Sequence, residues 1–160
     1  MRRLLLIAAL LVSSTSQAAE LIGRVIAVRD GDSIVIRDAT NAVHRIRLAG
    51  IDAPEIGQAG GSDSRERLRS LIFDRTVTVT WLKQDKYGRL VGVVRLGGVD
   101  VCLEQLRTGM AWHYKRFEGE QTLENRALYA NSETEARSSR IGLWAAASPV
   151  APWDFRRRRP

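Results

Sequence analysis

Apolar and polar positions alternate with a period of two through much of the first hundred residues, the signature of half-buried strands. Thr76-Val77-Thr78-Val79-Thr80-Trp81 alternates strictly. Residues 21–29, 33–37, 43–48 and 90–96 read the same way, and within 43–48 Ile46 and Leu48 share one face while Arg45 and Arg47 share the other. Asp30-Gly31-Asp32 and residues 38–41 carry tight-turn chemistry, so the first three strands are antiparallel neighbours. Asp85-Lys86-Tyr87-Gly88-Arg89 turns the fourth strand into the fifth. Helical spacing appears in three places. Ser62 or Asp63 caps a helix running to about Phe73, with Leu68, Leu71 and Ile72 on its buried side. A short helix over 103–107 closes at Gly109, and a last one spans roughly 120–139, with Leu123, Ala127 and Ala130 in phase and Gly142 ending it. Five short strands with a helix after the third predict an α+β chain with a mostly β core: a five-stranded OB-type antiparallel barrel with about three helices outside it.

The ends of the chain change this picture. Met1-Arg2-Arg3, the apolar run 4–12 and the small residues before a cut after Ala18 have the layout of a secretory signal peptide. Residues 1–18 are therefore expected to be cleaved, leaving a protein that is exported to the periplasm or secreted, without stable membrane insertion. Removing them lowers the net charge from +7 to +5, and four of those five charges are the arginines at 156–159. Residues 19–155 carry 19 basic and 18 acidic groups, so the body is nearly neutral and the basicity is a tail. The domain is expected over 19–147, with 148–160 a Pro/Trp/Arg-rich tail, disordered and weakly polyanion-binding in the free monomer.

Composition removes several kinds of chemistry. A disulfide scaffold is excluded because Cys102 is the only cysteine, and no second thiolate exists for a zinc site. His44 and His113 are far apart and read as solvent-facing, the Glu133/Arg137 spacing as a surface pair, Trp81 as core and Trp144 as the seal of the last helix. Cys102 reads as a buried thiol. Oxygen chemistry remains: Asp30 and Asp32 on one turn, Asp52 and Glu55 on another, with Pro54 fixing the backbone between the second two. Clustered carboxylates repel, and a divalent cation bound by oxygen ligands, Ca²⁺ or Mg²⁺, is the natural explanation. Arg47 beside them suits a negatively charged substrate such as phosphate. A turn of solvated acids explains the same residues.

Asp30-Gly31-Asp32-Ser33, the run from Arg47 through Asp52-Ala53-Pro54-Glu55, and Asp85-Lys86-Tyr87-Gly88-Arg89 together closely resemble the staphylococcal nuclease (thermonuclease) family, in order and approximate spacing. The likeness covers about residues 21–144 and includes Gly142-Leu143-Trp144 at the family's C-terminal boundary. It implies a metal-dependent, largely sequence-nonspecific endonuclease acting on DNA and RNA and leaving 3′-phosphate ends. Under that resemblance Asp32, Asp52 and the backbone carbonyl of Ala53 ligate Ca²⁺, with Mg²⁺ or another divalent cation as substitute. Glu55 orients or deprotonates the attacking water, Arg47 and Arg89 hold the scissile phosphate, and Lys86 and Tyr87 contact a neighbouring phosphate. Asp30 is a supporting turn residue. Ser33 stands where the family commonly has Thr, and the loop over 56–64 is shorter than in the staphylococcal enzyme. Two rivals use the same chain differently: a non-catalytic OB-fold nucleic-acid-binding protein, and a secreted cationic polyanion-binding protein acting through its arginines.

Overall fold

The structure, a computed structural model, describes residues 18–158. The expected signal peptide lies, but for Ala18, outside the described residues, as does Arg159. Strands β1 (Ala19–Val28), β2 (Ser33–Asp38) and β3 (Val43–Leu48) form an antiparallel meander, followed by the two-residue β4 (Ile51–Asp52) and helix α1 (Gly61–Ile72). Strands β5 (Thr76–Gln84), β6 (Leu90–Leu96) and β7 (Val99–Asp100) precede helix α2 (Val101–Arg107), and β8 (Trp112–His113) pairs back onto β4. Helices α3 (Leu123–Ser138) and α4 (Pro152–Arg157) follow, with 3₁₀ turns at Lys115–Glu120 and Gly142–Ala145.

The strand order β3-β2-β1-β5-β6 closes through a β3–β6 pairing, so five strands make a barrel of the expected OB type. The closing pair is parallel, with Ile46 opposite Leu90, and the barrel is mixed rather than wholly antiparallel. Bulges between Val25 and Ala27 and between Trp81 and Lys83 add the local twist that lets so short a sheet curl shut. Ile34, Ile36, Ile46, Leu48, Val77, Val79 and Val94 fill the interior, and Leu68 and Ile72 of α1 close one end. Each such side chain contributes about 1.5–3 kcal/mol of transfer free energy.

Several helix expectations need correction. Helix α1 begins at Gly61, two residues before a Ser62 cap would start it, after Gly60 in the left-handed region, and neither Ser62 nor Asp63 caps it. Asp100 caps α2 by accepting from the Leu103 amide, and Thr122 caps α3 from the Asn125 amide. The buried face of α3 is Tyr129, Ser132, Glu133 and Ala136; Leu123 is 79% exposed. The supposed surface pair is thus half interior: Glu133 is buried and accepts from Arg137 and the His113 amide. His113 is buried as well, because β8 carries it inward against β4. His44 is only partly exposed and pairs with Asp38 at 2.7 Å. Trp81 packs against the barrel core, whereas Trp144 joins a second cluster with Trp112, Ala136 and Ala151. Cys102 is a free buried thiol, and burial, with the Asp100 charge nearby, pushes it up to about 12, so it stays protonated and inert.

The C-terminal segment departs most from expectation. Residues 152–157 are helical, with Pro152 preset for the first helical turn. Trp153 stacks on Tyr114 at 5.6 Å and 11° and meets Trp112 edge-on at 5.5 Å. Apolar contact, invisible in a run of arginines, orders this end of the chain.

Candidate active site

The β2–β3 pairing sets Ser33 opposite Arg47, which brings the turn before β2 against the turn after β3. Asp32 comes from the first turn and Asp52 from the second. Arg47 joins them: its Nη2 lies 2.8 Å from Asp52 Oδ1 and 3.0 Å from Asp32 Oδ2. Its Nη1 donates to the carbonyls of Leu48 (2.7 Å) and Ile51 (2.9 Å), so one guanidinium fixes both the turn and the two carboxylates. Asp32 Oδ2 also accepts from the Ala53 amide at 2.6 Å and Oδ1 from Ser33 Oγ at 3.1 Å. Both aspartates are buried.

The first turn is clamped from behind. Gln105, fully buried, donates to the Gly31 carbonyl at 2.9 Å and to the Ser64 carbonyl at 3.2 Å. Gly31 has no room for a side chain: a Cβ there would stand 1.8 Å from Ser64 Oγ and 2.7 Å from Ala53 Cβ. Asp30 Oδ1 accepts from the Asp32 amide at 3.0 Å, the supporting role expected of it. Burial, with the neighbouring Asp32 charge, raises the Asp30 carboxyl to about 7. Burial likewise raises Asp52, against the opposing pull of Arg156 and Arg47.

Asp30, Asp32, Arg47, Asp52 and Ala53 line a cleft of about 680 Å³ that also takes in Glu55, Arg89, Lys86 and Tyr87. Arg89 is aimed by Asp85, which accepts from Nε at 2.7 Å and from the Tyr87 and Arg89 amides at 2.9 and 3.0 Å. Its Nη1 lies 3.3 Å from Ser33 Oγ, and its guanidinium carbon 5.6 Å from the Tyr87 ring. Lys86 and Tyr87 are exposed at the rim. The structure therefore gathers every residue singled out from the sequence around one opening. It also adds residues that sequence reasoning missed, above all Arg156. Nη1 and Nη2 of Arg156 reach Glu55 Oε1 at 2.9 Å and Asp52 Oδ2 at 2.7 Å. Arg116, inside the 3₁₀ turn Lys115–Glu120, joins the wall as well, and so does Tyr114 just before it.

The chemistry of this donor set suits a hard cation. Two carboxylates converge on a single guanidinium nitrogen, with no sulfur or imidazole among them. Among the described residues no group of three or more His, Cys, Asp or Glu comes together as a metal cluster. A Ca²⁺ or Mg²⁺ ion held by two carboxylates completes its shell with backbone carbonyl, water and substrate oxygens.

The sequence model of the family described as staphylococcal nuclease homologue matches residues 45–146. A micrococcal nuclease of Shigella flexneri is 39% identical over 159 residues, covering 94% of this chain and 88% of its own. An uncharacterised endonuclease of Escherichia coli O157:H7 is 41% identical over 142 residues, 88% of each chain. One from Haemophilus influenzae is 33% identical over 135 residues, 84% of this chain and 72% of its own.

Proposed function

The chain belongs to the staphylococcal nuclease family, and from that premise we propose that it is an endonuclease that hydrolyses DNA and RNA phosphodiesters with a bound divalent cation, Ca²⁺ foremost, leaving 3′-phosphate ends. The observation that carries this reading is the convergence of Asp32 and Asp52 on Arg47 at one wall of a cleft that also holds Glu55 and Arg89. Asp32 and Asp52, with the Ala53 carbonyl, would hold the cation, which supplies positive charge to the non-bridging oxygens of the reacting phosphate.

The remaining work falls to the chain's own side chains. Glu55, at the cleft mouth, accepts a proton from the attacking water as its oxygen bonds to phosphorus. The bond from phosphorus to the 5′ oxygen breaks, that oxygen takes a proton from solvent water and departs as the 5′ hydroxyl, and the phosphate stays on the 3′ side. Arg89, held by Asp85, meets the equatorial oxygens where negative charge grows. Arg47 adds its charge from the floor while keeping both aspartates in place. Lys86 and Tyr87, exposed at the rim, contact the next phosphate along the strand. The contacts assigned to Arg47, Arg89, Lys86 and Tyr87 are to phosphate, which carries no base information, so cleavage is largely independent of sequence.

The location proposed is outside the cytoplasm, on the strength of the leader-like residues 1–18, and the acting form is a monomer. No helix among the described residues is long and apolar enough to cross a membrane.

End-group analysis tests the reaction. Oligonucleotide fragments produced in Ca²⁺ are expected to accept a 5′ label from polynucleotide kinase without prior dephosphorylation, and to resist extension by polymerase until the 3′ phosphate is removed. Fragments with 5′-phosphate and extendable 3′-hydroxyl ends would overturn the direction of attack.

A further inference from the structure

Arg156 stands where the proposed cation chemistry needs an opening. Its Nη2 lies 2.7 Å from Asp52 Oδ2, and its Nη1 lies 3.3 Å from Asp52 Oδ1 and 2.9 Å from Glu55 Oε1. Both oxygens of Asp52 are thereby engaged, one of them by Arg47 as well. The forked geometry is that of a bidentate guanidinium–carboxylate pair, whose strength depends on both contacts being made together. A divalent ion on Asp52 needs those same oxygens. The same guanidinium pairs with Oε1 of Glu55, whose carboxylate is the proposed proton acceptor.

The helix that delivers Arg156 is tethered through the residues at its start. Ala151 and Pro152 are buried, Trp153 lies on Tyr114, and Gln58 Nε2 donates to the Val150 carbonyl at 2.6 Å. The helix itself has only six residues, and Arg157 beyond the pair is turned to Asp154 and solvent. So short a terminal element opens at a fraction of the cost of global unfolding. Next to it runs a second groove of about 630 Å³, bordered by Lys115, Arg116, Arg137 and Arg157 and sharing Arg156 and Tyr114 with the cleft.

We propose that α4 is an autoinhibitory latch: Arg156 occupies the cation-binding face of Asp52 and pairs with Glu55, so the cation binds only as the latch lets go. The proposal rests on the reading of Asp52 as a cation ligand. In the latched form Asp52 offers no free oxygen and Glu55 is held as the partner of a guanidinium. Apparent cation affinity is the affinity of the open form scaled by the fraction open, so a latch closed nine times in ten weakens it about tenfold. Linkage works in both directions: saturating cation holds α4 away from the cleft.

Calorimetric titration of Ca²⁺ alone into the mature full-length chain, beside Arg156→Gln and Asp52→Asn, tests this. Arg156→Gln is expected to bind Ca²⁺ about tenfold more tightly than wild type, and Asp52→Asn to remove the binding. Equal or weaker binding by Arg156→Gln, with Asp52 still required, would overturn the latch and leave the cation reading standing. Binding that is absent, or indifferent to Asp52→Asn, would overturn the cation reading and the latch with it. Hydrogen exchange on unmutated protein gives a second readout. The amides of α4 are expected to lose protection at saturating Ca²⁺, and unchanged protection there would contradict the latch.

Discussion

Glu55→Gln is expected to lower kcat by about 10²–10⁴-fold, the contribution typical of a positioned general base, while affinity for nucleic acid stays near that of the wild type. The substitution keeps the shape and removes the negative charge, and with it the ability to take a proton at neutral pH. Folding is expected to survive it: the Glu55 side chain is 34% exposed and its ion-pair partner sits on a terminal helix, so stability changes by no more than about 0.5 kcal/mol. Single-turnover cleavage of a labelled oligonucleotide at saturating Ca²⁺ separates the chemical step from binding. A fall of only a few-fold would move the base elsewhere in the cleft. The latch adds a signature of its own, because the variant loses one of the charged partners of Arg156.

Arg47→Ala is expected to damage both stability and catalysis. The guanidinium satisfies two carbonyls and bridges two buried carboxylates. Leaving one member of a buried ion pair uncompensated costs about 3–5 kcal/mol, although Arg156 reaches Asp52 from the other side and offsets part of that here. Removing positive charge aimed at the developing phosphate charge lowers kcat by about 10²–10³ on top of any unfolding. Urea denaturation followed by far-ultraviolet circular dichroism reads the first effect, and kcat measured where the variant is still folded reads the second. Arg47→Lys, which keeps the charge and loses the fork, is expected to fall between the two proteins in both measurements. An Arg47→Ala protein as stable as the wild type would mean that Arg156 on Asp52 and the Ala53 amide on Asp32 suffice to hold the two buried carboxylates.

How legible the molecule was in its sequence depended on how local each feature is. Strands β5 and β6 alternate because one face of each fills the barrel, and the bounds read for β6 are those observed. The parallel closure of β3 on β6 left no mark, since pairing between distant strands has no period to read. In α3, Leu123, Ala127 and Ala130 suggested a buried stripe. The actual one runs through Tyr129 and Glu133, because an anchored hydroxyl and a carboxylate paired with Arg137 are buried there in place of apolar groups. Tyr129 donates to Asp100 Oδ2 at 2.8 Å, a link across 29 residues that no window contains.

The site divides in the same way. Arg47 through Glu55 is one contiguous segment, from the end of β3 to just past β4, and a single hairpin register brings Asp32 to it, so this part could be read in advance. Arg89 followed from its own turn with Asp85. Arg156 could not, because 104 residues separate it from Asp52 and its neighbours are arginines with the look of a solvated end. The aromatic contacts of Trp153 decide where that end goes.

Under the proposed function this cleft cleaves nucleic acid with a divalent cation and Glu55. Incubating supercoiled plasmid with the mature chain in Ca²⁺, in Ca²⁺ with excess chelator, and with Glu55→Gln purified identically tests it most directly. Nicking and linearisation by the wild type in Ca²⁺, abolished by chelator and reduced by about 10²-fold or more in the variant, is the result expected. Plasmid left intact by the wild type at saturating Ca²⁺, or cut equally well by the variant, would contradict it.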